Sequence, residues 1–265
     1  MWLKAAQIRQ EWLAQGLSTA PADRTAAESG IAAIYARIGR RRPEFVWVDS
    51  PHKALPIVDG WPTLDQLYRL IRDPRPGRPP LASDLAASAA ALRGRLSDGV
   101  AHADPELTSV RQAKTNKPWP DLPPRDALDR GQPLGVVLHR AVRVALHRSL
   151  AIGFSLRVRS ALARDGEVPV CWYGQQEAFW VGYYDGLRRL GLADYGRDDR
   201  DHLGEWAALA RSCGWWWPGD EVCAVVERPA VVRTEPVPGA WHDEVRLRAV
   251  EFRDGWRPAV STLSP

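Results

Sequence analysis

The chain has 265 residues, 45% hydrophobic and 26% charged, with a formal net charge of +4. That length buries a sizeable core without staples, and the three cysteines (Cys171, Cys213, Cys223) are too few and too odd in number for a disulfide framework. No Lys/Arg block reaches the density of a nucleic-acid arm, no apolar run approaches the ~18 residues of a membrane span, and no signal-peptide pattern opens the chain, so it reads as cytoplasmic and reduced.

A helix is predicted from Trp2 to about Gln15, with Leu3, Ala6, Trp12 and Leu13 roughly on one face and Gly16 ending it. The pattern Ser18-Thr19-Ala20-Pro21-Ala22-Asp23 then starts a second helix, which runs to about Ile38 with Ala27, Ile31, Ile34 and Tyr35 inward. Phe45 to Val48 reads as a buried strand that stops at Asp49-Ser50-Pro51. A short helix covers Pro62 to Ile71, a stiff Pro-rich linker 73–80, and an Ala-rich helix Ala82 to about Leu96. From Ser97 to Gln132 there is little periodicity.

Between Leu134 and Ala163 the residues Leu138, Val142, Leu146, Leu150, Phe154, Val158 and Leu162 recur every fourth position. Each such step overshoots an α-helical turn by ~40°, so one straight α-helix would smear the stripe around its axis, and Gly153 is the expected break between two helices. The same segment carries Arg140, Arg143, Arg148, Arg157 and Arg159 and no acid. It is either a solvated basic face or a cationic wall beside a binding site; in the second reading Arg140, Arg143 and Arg148 bind substrate. Helices follow near Ala178–Leu187 and His202–Cys213, with a charged loop at 194–201, and strands near 221–227, 231–234 and 245–252 read as an antiparallel meander. The elements predict an α+β fold, predominantly helical with a small C-terminal antiparallel sheet. It is one domain over residues 1–265, with an N-terminal helical region (residues 1–72), an irregular Pro-rich region (residues 73–133) and a helical and β-meander core (residues 134–265).

Trp215, Trp216 and Trp217 are consecutive in a chain of 13 tryptophans, 8 of them between Trp172 and Trp256. A strand sends neighbours to opposite faces and a helix fans them widely, so at least one indole is expected to reach a groove, a partner or solvent. With Trp172 and Trp180 they form the expected aromatic substrate-binding surface. Candidate catalytic or hydrogen-bonding groups beside it are Tyr173, Gln175, Glu177, Tyr184 and Asp185; each also has a structural reading, as a helix-opening residue or as packing with a wet tip. Asp49, at the end of an apolar strand, is either a rim carboxylate or a turn residue bonding its own backbone. No phosphate-binding loop, dinucleotide fingerprint, nucleophile elbow or zinc signature occurs. Asp198, Asp199, Asp201 and His202 are explained as a helix start, and no metal or cofactor is expected. The three thiols read as buried and structural.

The stretches LSTAPADRTAAESGI (17–31), VWVDSP (46–51), CWYGQQEAFWVGYYD (171–185) and LARSCGWWWPGDEVCAVVERP (209–229) resemble an uncharacterised bacterial domain family of actinobacteria and cyanobacteria. In that family the region before the CWYG-like motif carries repeats with a four-residue step, and the stripe from Leu138 to Leu162 resembles a degenerate version; the short tail WHDEVRLRAVEFRDGW departs from the family's longer one. The family implies no established reaction. In character the chain is also similar to peptide-binding proteins of ribosomal-peptide pathways of the crocagin type. The expected function is therefore a peptide-binding or peptide-tailoring protein that holds a ribosomally made substrate or its leader segment in a Trp-rich groove. The alternatives are a small-molecule enzyme with an aromatic pocket and a non-catalytic dimeric interaction module; nucleic acid ranks low as a partner.

Overall fold

The computed structural model describes residues 1–73, 79–103, 117–164 and 166–260; most of the expected linker (74–78) and the centre of the irregular stretch (104–116) lie outside the described residues. Helices dominate and the strands gather mainly in the C-terminal region, giving the expected α+β class.

Local chemistry sets the helix starts. The Asp23 carboxylate accepts the Ala26 N–H at 3.0 Å and opens Arg24–Arg37. Thr63 and Gln66 make a reciprocal capping box for Leu64–Arg72. Ser50 accepts the Lys53 N–H and Pro51 takes the first helical position, so the DSP sequence both stops a strand and starts the short helix Pro51–Ala54. The charged loop expected at 194–201 is largely helical instead. Arg197–Ser212 begins at Gly196, with Asp198 and Asp199 complementing the positive end of its dipole.

Strands β1 (Glu44–Val48), β2 (Trp216–Pro218) and β3 (Val222–Val226) form one sheet in the order β1-β3-β2. β2 and β3 run antiparallel, while β1 joins the other edge of β3 in parallel. The parallel pairing is accessible because all the helices between residues 48 and 222 lie in the connection. Strands β4 (Val231–Pro236) and β5 (Val245–Glu251) make a separate antiparallel hairpin with a register irregularity at Arg233/Thr234, so the expected meander is split in two.

Both faces of the sheet are covered over β2 and β3, while β1, at the edge, is half-buried rather than buried as expected. One core holds Trp216, Cys223, Val225, Trp172, Trp180 and Trp206 with the first, second and Ala-rich helices. The other holds Trp215, Trp217, Ala224, Val226, Cys171, Leu247 and Phe252. Alternation along β2 and β3 assigns each residue to one core or the other.

A single helix, 134–162, serves both cores, and the break expected at Gly153 does not occur. Leu138, Val142, Leu146 and Leu150 enter the first core and Phe154, Val158 and Leu162 the second, all seven buried. The helix keeps its stripe straight by widening: His139–Val144 and His147–Ser155 are π-helical, between α-helical ends Leu134–Leu138 and Leu156–Leu162. An α-turn holds 3.6 residues, and the i→i+5 bonds of a π-turn raise this to about 4.4, so mixing the two averages near four per turn. Such extended π structure is rare, and here the hydrophobic period explains it.

Gly153 has a packing role rather than a breaking one. A Cβ there would stand 2.7 Å from the Val245 carbonyl oxygen and 3.3 Å from the Arg246 Cα, because β5 crosses the helix at this point. Backbone cannot retreat as a flexible side chain can. We expect Gly153→Ala to lower stability by about 1–3 kcal/mol. Gly94→Ala, in the Ala-rich helix where a Cβ meets nothing within 4 Å, should be neutral or stabilising by up to about 1 kcal/mol. Urea unfolding midpoints of the two variants make the comparison.

Candidate functional site

The tryptophan run is interior. Trp215, Trp216 and Trp217 are 2%, 0% and 0% exposed, all enclosed by their own chain. The strand does point neighbours to opposite faces, as expected; the expectation of a surface indole fails because each face has its own core. The Trp-lined groove therefore does not form. Trp172 and Trp180 are likewise buried, with Trp172 exchanging backbone hydrogen bonds with Trp216 and Trp180 packing edge-on to Trp206.

The polar residues expected beside that groove serve the indoles instead. Trp215 Nε1 donates to Gln176 Oε1 at 3.0 Å, Trp180 Nε1 to Glu177 Oε2 at 2.7 Å, and Trp12 Nε1 to Asp185 Oδ2 at 3.1 Å. Gln175 and Gln176 both donate to the Gly16 carbonyl at 3.0 Å, tying the end of the first helix to this cluster. The turn that presents them needs Gly174, which has φ +51° and a Cβ position filled by the Gly214 carbonyl. Tyr173 lies edge-on against Trp215, and Tyr184 shares a 2.8 Å hydrogen bond with Ser97 while bonding the Arg93 carbonyl. Burial pushes the Glu177 carboxyl and the Tyr173 phenol up, but both face structural partners. Of the six candidate catalytic residues only Asp49 is exposed, at the end of β1. None of the six lines the cavity described below.

The thiols are buried, and burial pushes Cys171 and Cys213 up to about 12 and Cys223 well above the usual thiol value, so all are protonated at neutral pH. Asp198 pairs with Arg37 at 2.8 Å and Asp199 with Arg95 at 2.7 Å, consistent with a solvated helix start, and among the described residues no group of metal-ligating side chains comes together.

The site that does gather chemistry lies on the outer face of the long helix. A cavity of about 510 Å³ is lined by Val136, His139, Arg140, Val144 and Arg148 from the helix, Pro118, Trp119 and Asp121 from the segment before it, and His242. Two of the three expected substrate-binding arginines thus line it; the third, Arg143, lies over the Tyr183 ring at 5.8 Å. The Arg140 guanidinium bonds the Trp119 and Pro120 carbonyls and Gln132 Oε1, all neutral acceptors. Arg148 faces Glu244 at 3.2 Å and Asp121 at 3.7 Å. The turn that delivers His242 is pinned by Asp243, which adopts φ +51° and pairs with the buried Arg9 at 2.9 Å. This geometry turns Trp241 outward, 53% exposed, and the neighbouring His242 and Glu244 inward.

Both histidines are held neutral. Burial first, then Arg143 and Arg140, lowers His139 to about 4. Burial and Arg9 lower His242 to about 4, against the opposing pull of Asp121. A neutral imidazole offers one donor and one acceptor. The sequence alone singled out Arg140 and Arg148 through their acid-free segment. It missed His139 and His242, more than a hundred positions apart, and Trp119, which sits in the least periodic stretch.

Two outcomes test this arrangement. Trp216→Ala should destabilise the protein by about 3–5 kcal/mol, as for a large core truncation; an unchanged melting temperature would mean the ring is not in the core. His139 and His242 bind protons more weakly folded than unfolded, so the unfolded chain takes up more protons between pH 6.5 and 4. Their contribution to stability should be complete above about pH 6.5 and fade as pH falls toward 4, and the double variant His139→Gln, His242→Gln should show a shallower loss of melting temperature over that window.

No family model matches the chain, and no match emerges among curated proteins or among solved structures.

Proposed function

We propose that the protein binds an anionic ligand with an apolar or aromatic body in the cavity on the outer face of the long helix. The observation that carries this reading is the lining itself, in which Arg140 and Arg148 stand among Trp119, Val136 and Val144. Among the described residues Arg140 has only uncharged acceptors. Its positive charge is therefore available to a ligand, and in a half-enclosed site that charge is screened less than at an open surface. Burial is the main reason that His139 is depressed, and Arg143 and Arg140 add to it. Apolar walls with a few placed polar groups are the ordinary make-up of a small-ligand site.

Binding is favoured over catalysis because the described residues lining the cavity include no serine, threonine or cysteine beside the imidazoles to act as nucleophile. The wider role expected from the sequence, holding a ribosomally made peptide during its maturation, loses its tryptophan groove. A dimer anchored by Trp215–Trp217 loses its anchors. What carries over is the arginine wall.

Anilinonaphthalene sulfonate, an aromatic anion, is a direct probe. Its saturable fluorescence enhancement by the native protein should weaken about tenfold in Arg140→Gln, the cost of one charge-assisted contact. The exposed Arg200→Gln should leave it unchanged. Equal titrations for native protein and Arg140→Gln, or equal affinity for an uncharged analogue, would refute the reading.

A further inference from the structure

We infer that the ligand is an extended acidic peptide whose apolar residues continue past the cavity along Ile152 and Leu156, an inference that rests on the anion-binding reading above. At four residues per turn the long helix has four distinct sides. The seven-residue stripe from Leu138 to Leu162 faces the cores. One flank, Val137, Ala141, Ala145, Ser149 and Gly153, is buried: Arg9 donates to the Ala141 carbonyl, and β5 packs on the Ser149–Gly153 end, where Val245 N–H donates to Ser149 Oγ at 3.1 Å. The other flank, starting His139, Arg143 and His147, meets Tyr183 and Phe179. The remaining side reads Val136, Arg140, Val144, Arg148, Ile152, Leu156.

That outer side is one continuous line. Its first four residues line the cavity. The next two leave it at the Arg148 end as aliphatic side chains in the open, Ile152 49% and Leu156 46% exposed, next to an Arg148 side chain 46% exposed. Isolated exposed aliphatics are common; here they extend a binding wall in register, one turn apart. A ligand filling the cavity and protruding at Arg148 meets them next.

Charge and spacing identify the occupant. The line is basic where it is enclosed and apolar where it is open, and its complement is a chain with acids at one end and apolar groups at the other. Four residues of an α-helix advance roughly 6 Å, and the π-helical stretches His139–Val144 and His147–Ser155 advance somewhat less. Alternate side chains of an extended peptide are ~6.7 Å apart and closer in a twisted strand, a spacing of the same order, so a strand that twists along the helix keeps successive outward residues near successive turns. An aliphatic tail would gain little from this match, having no side chains to place.

The probe is a fluorescein-labelled, end-blocked peptide of sequence glutamate-serine-alanine-serine-glutamate-serine-leucine-serine-leucine, whose outward residues fall in turn on Arg140, Val144, Arg148, Ile152 and Leu156, with glutamate-serine-alanine-serine-glutamate as the head alone and dodecanoate as a competing amphiphile. Fluorescence anisotropy should show the full peptide binding about tenfold tighter than the head, as expected for two partly buried leucines. Ile152→Ser with Leu156→Ser should remove that gain while leaving the head's affinity unchanged, and Arg140→Gln should weaken both. On the native protein, a peptide with leucines moved to the intervening positions should bind no tighter than the head, a control independent of how any variant folds. If head and full peptide bind equally, the ridge inference falls while the cavity reading stands. If dodecanoate rather than the peptide gains affinity from Ile152 and Leu156, the occupant is a lipid-like acid and the peptide inference is wrong. If neither peptide binds and Arg140→Gln changes nothing, both readings fall together.

Discussion

One helix facing two cores is the constraint on which the rest depends. The sheet β1-β3-β2 divides the interior, and the helix 134–162 passes from one side to the other with Leu150 still in the first core and Phe154 already in the second. Over the six steps from Leu138 to Leu162, a pure α-helix would rotate the stripe by roughly 240°, carrying Phe154 and Val158 to solvent. The π-helical stretches prevent this. Their cost is less favourable backbone geometry; the return is seven large side chains kept out of water, each contributing about 1.5–3 kcal/mol of burial.

The same constraint explains the polar interior. Closing both faces of the sheet traps Trp215 and Trp217 on one side and Trp216 on the other, and a trapped indole N–H needs an acceptor. Gln176 meets that need for Trp215 and the Pro169 carbonyl for Trp217. Gln176 can do so only because the 3₁₀ turn Gly174–Glu177 folds under the strand, which in turn requires Gly174 beside the Gly214 carbonyl. The CWYGQQ and CGWWWP stretches are thus two halves of one packing unit: the first supplies the acceptor and the glycine, the second the donor and the facing carbonyl.

This relation sets what was legible in the sequence. Helix and strand positions followed from local periodicity and caps, so Trp2–Gly16, Arg24–Arg37 and β3 lie close to where the pattern put them. The four-residue step was visible too, but its period alone does not distinguish a broken α-helix from a widened one; that choice depends on the two cores, which are built from residues distant in sequence. The alternation of the three tryptophans was likewise correct as local geometry. It misled about exposure because the second core is closed by the β4–β5 hairpin and by the helix itself, long-range contacts without a local signature. Gln175, Glu177 and Asp185 were noticed for their chemistry, and their partners turned out to be indoles and, for Gln175, backbone carbonyls. Arg140 and Arg148 were legible because a run of arginines without acids is unusual whether or not its fold is known.

The widened helix also accounts for where the cavity lies. A helix of four residues per turn cannot favour one face alone: straightening the inward stripe straightens the outward one by the same rotation. Val136, Arg140, Val144 and Arg148 are therefore held in a single line by the demands of the cores. The segment 118–121 and the His242 turn then only have to arch over a stretch of that line to enclose it, and the Arg140 bonds to the Trp119 and Pro120 carbonyls and the Arg148–Glu244 pair fix them there. A change in the buried stripe that returned the helix to α-geometry would rotate Arg140 and Arg148 apart, so the arrangement of the binding wall and the packing of the core are one structural property.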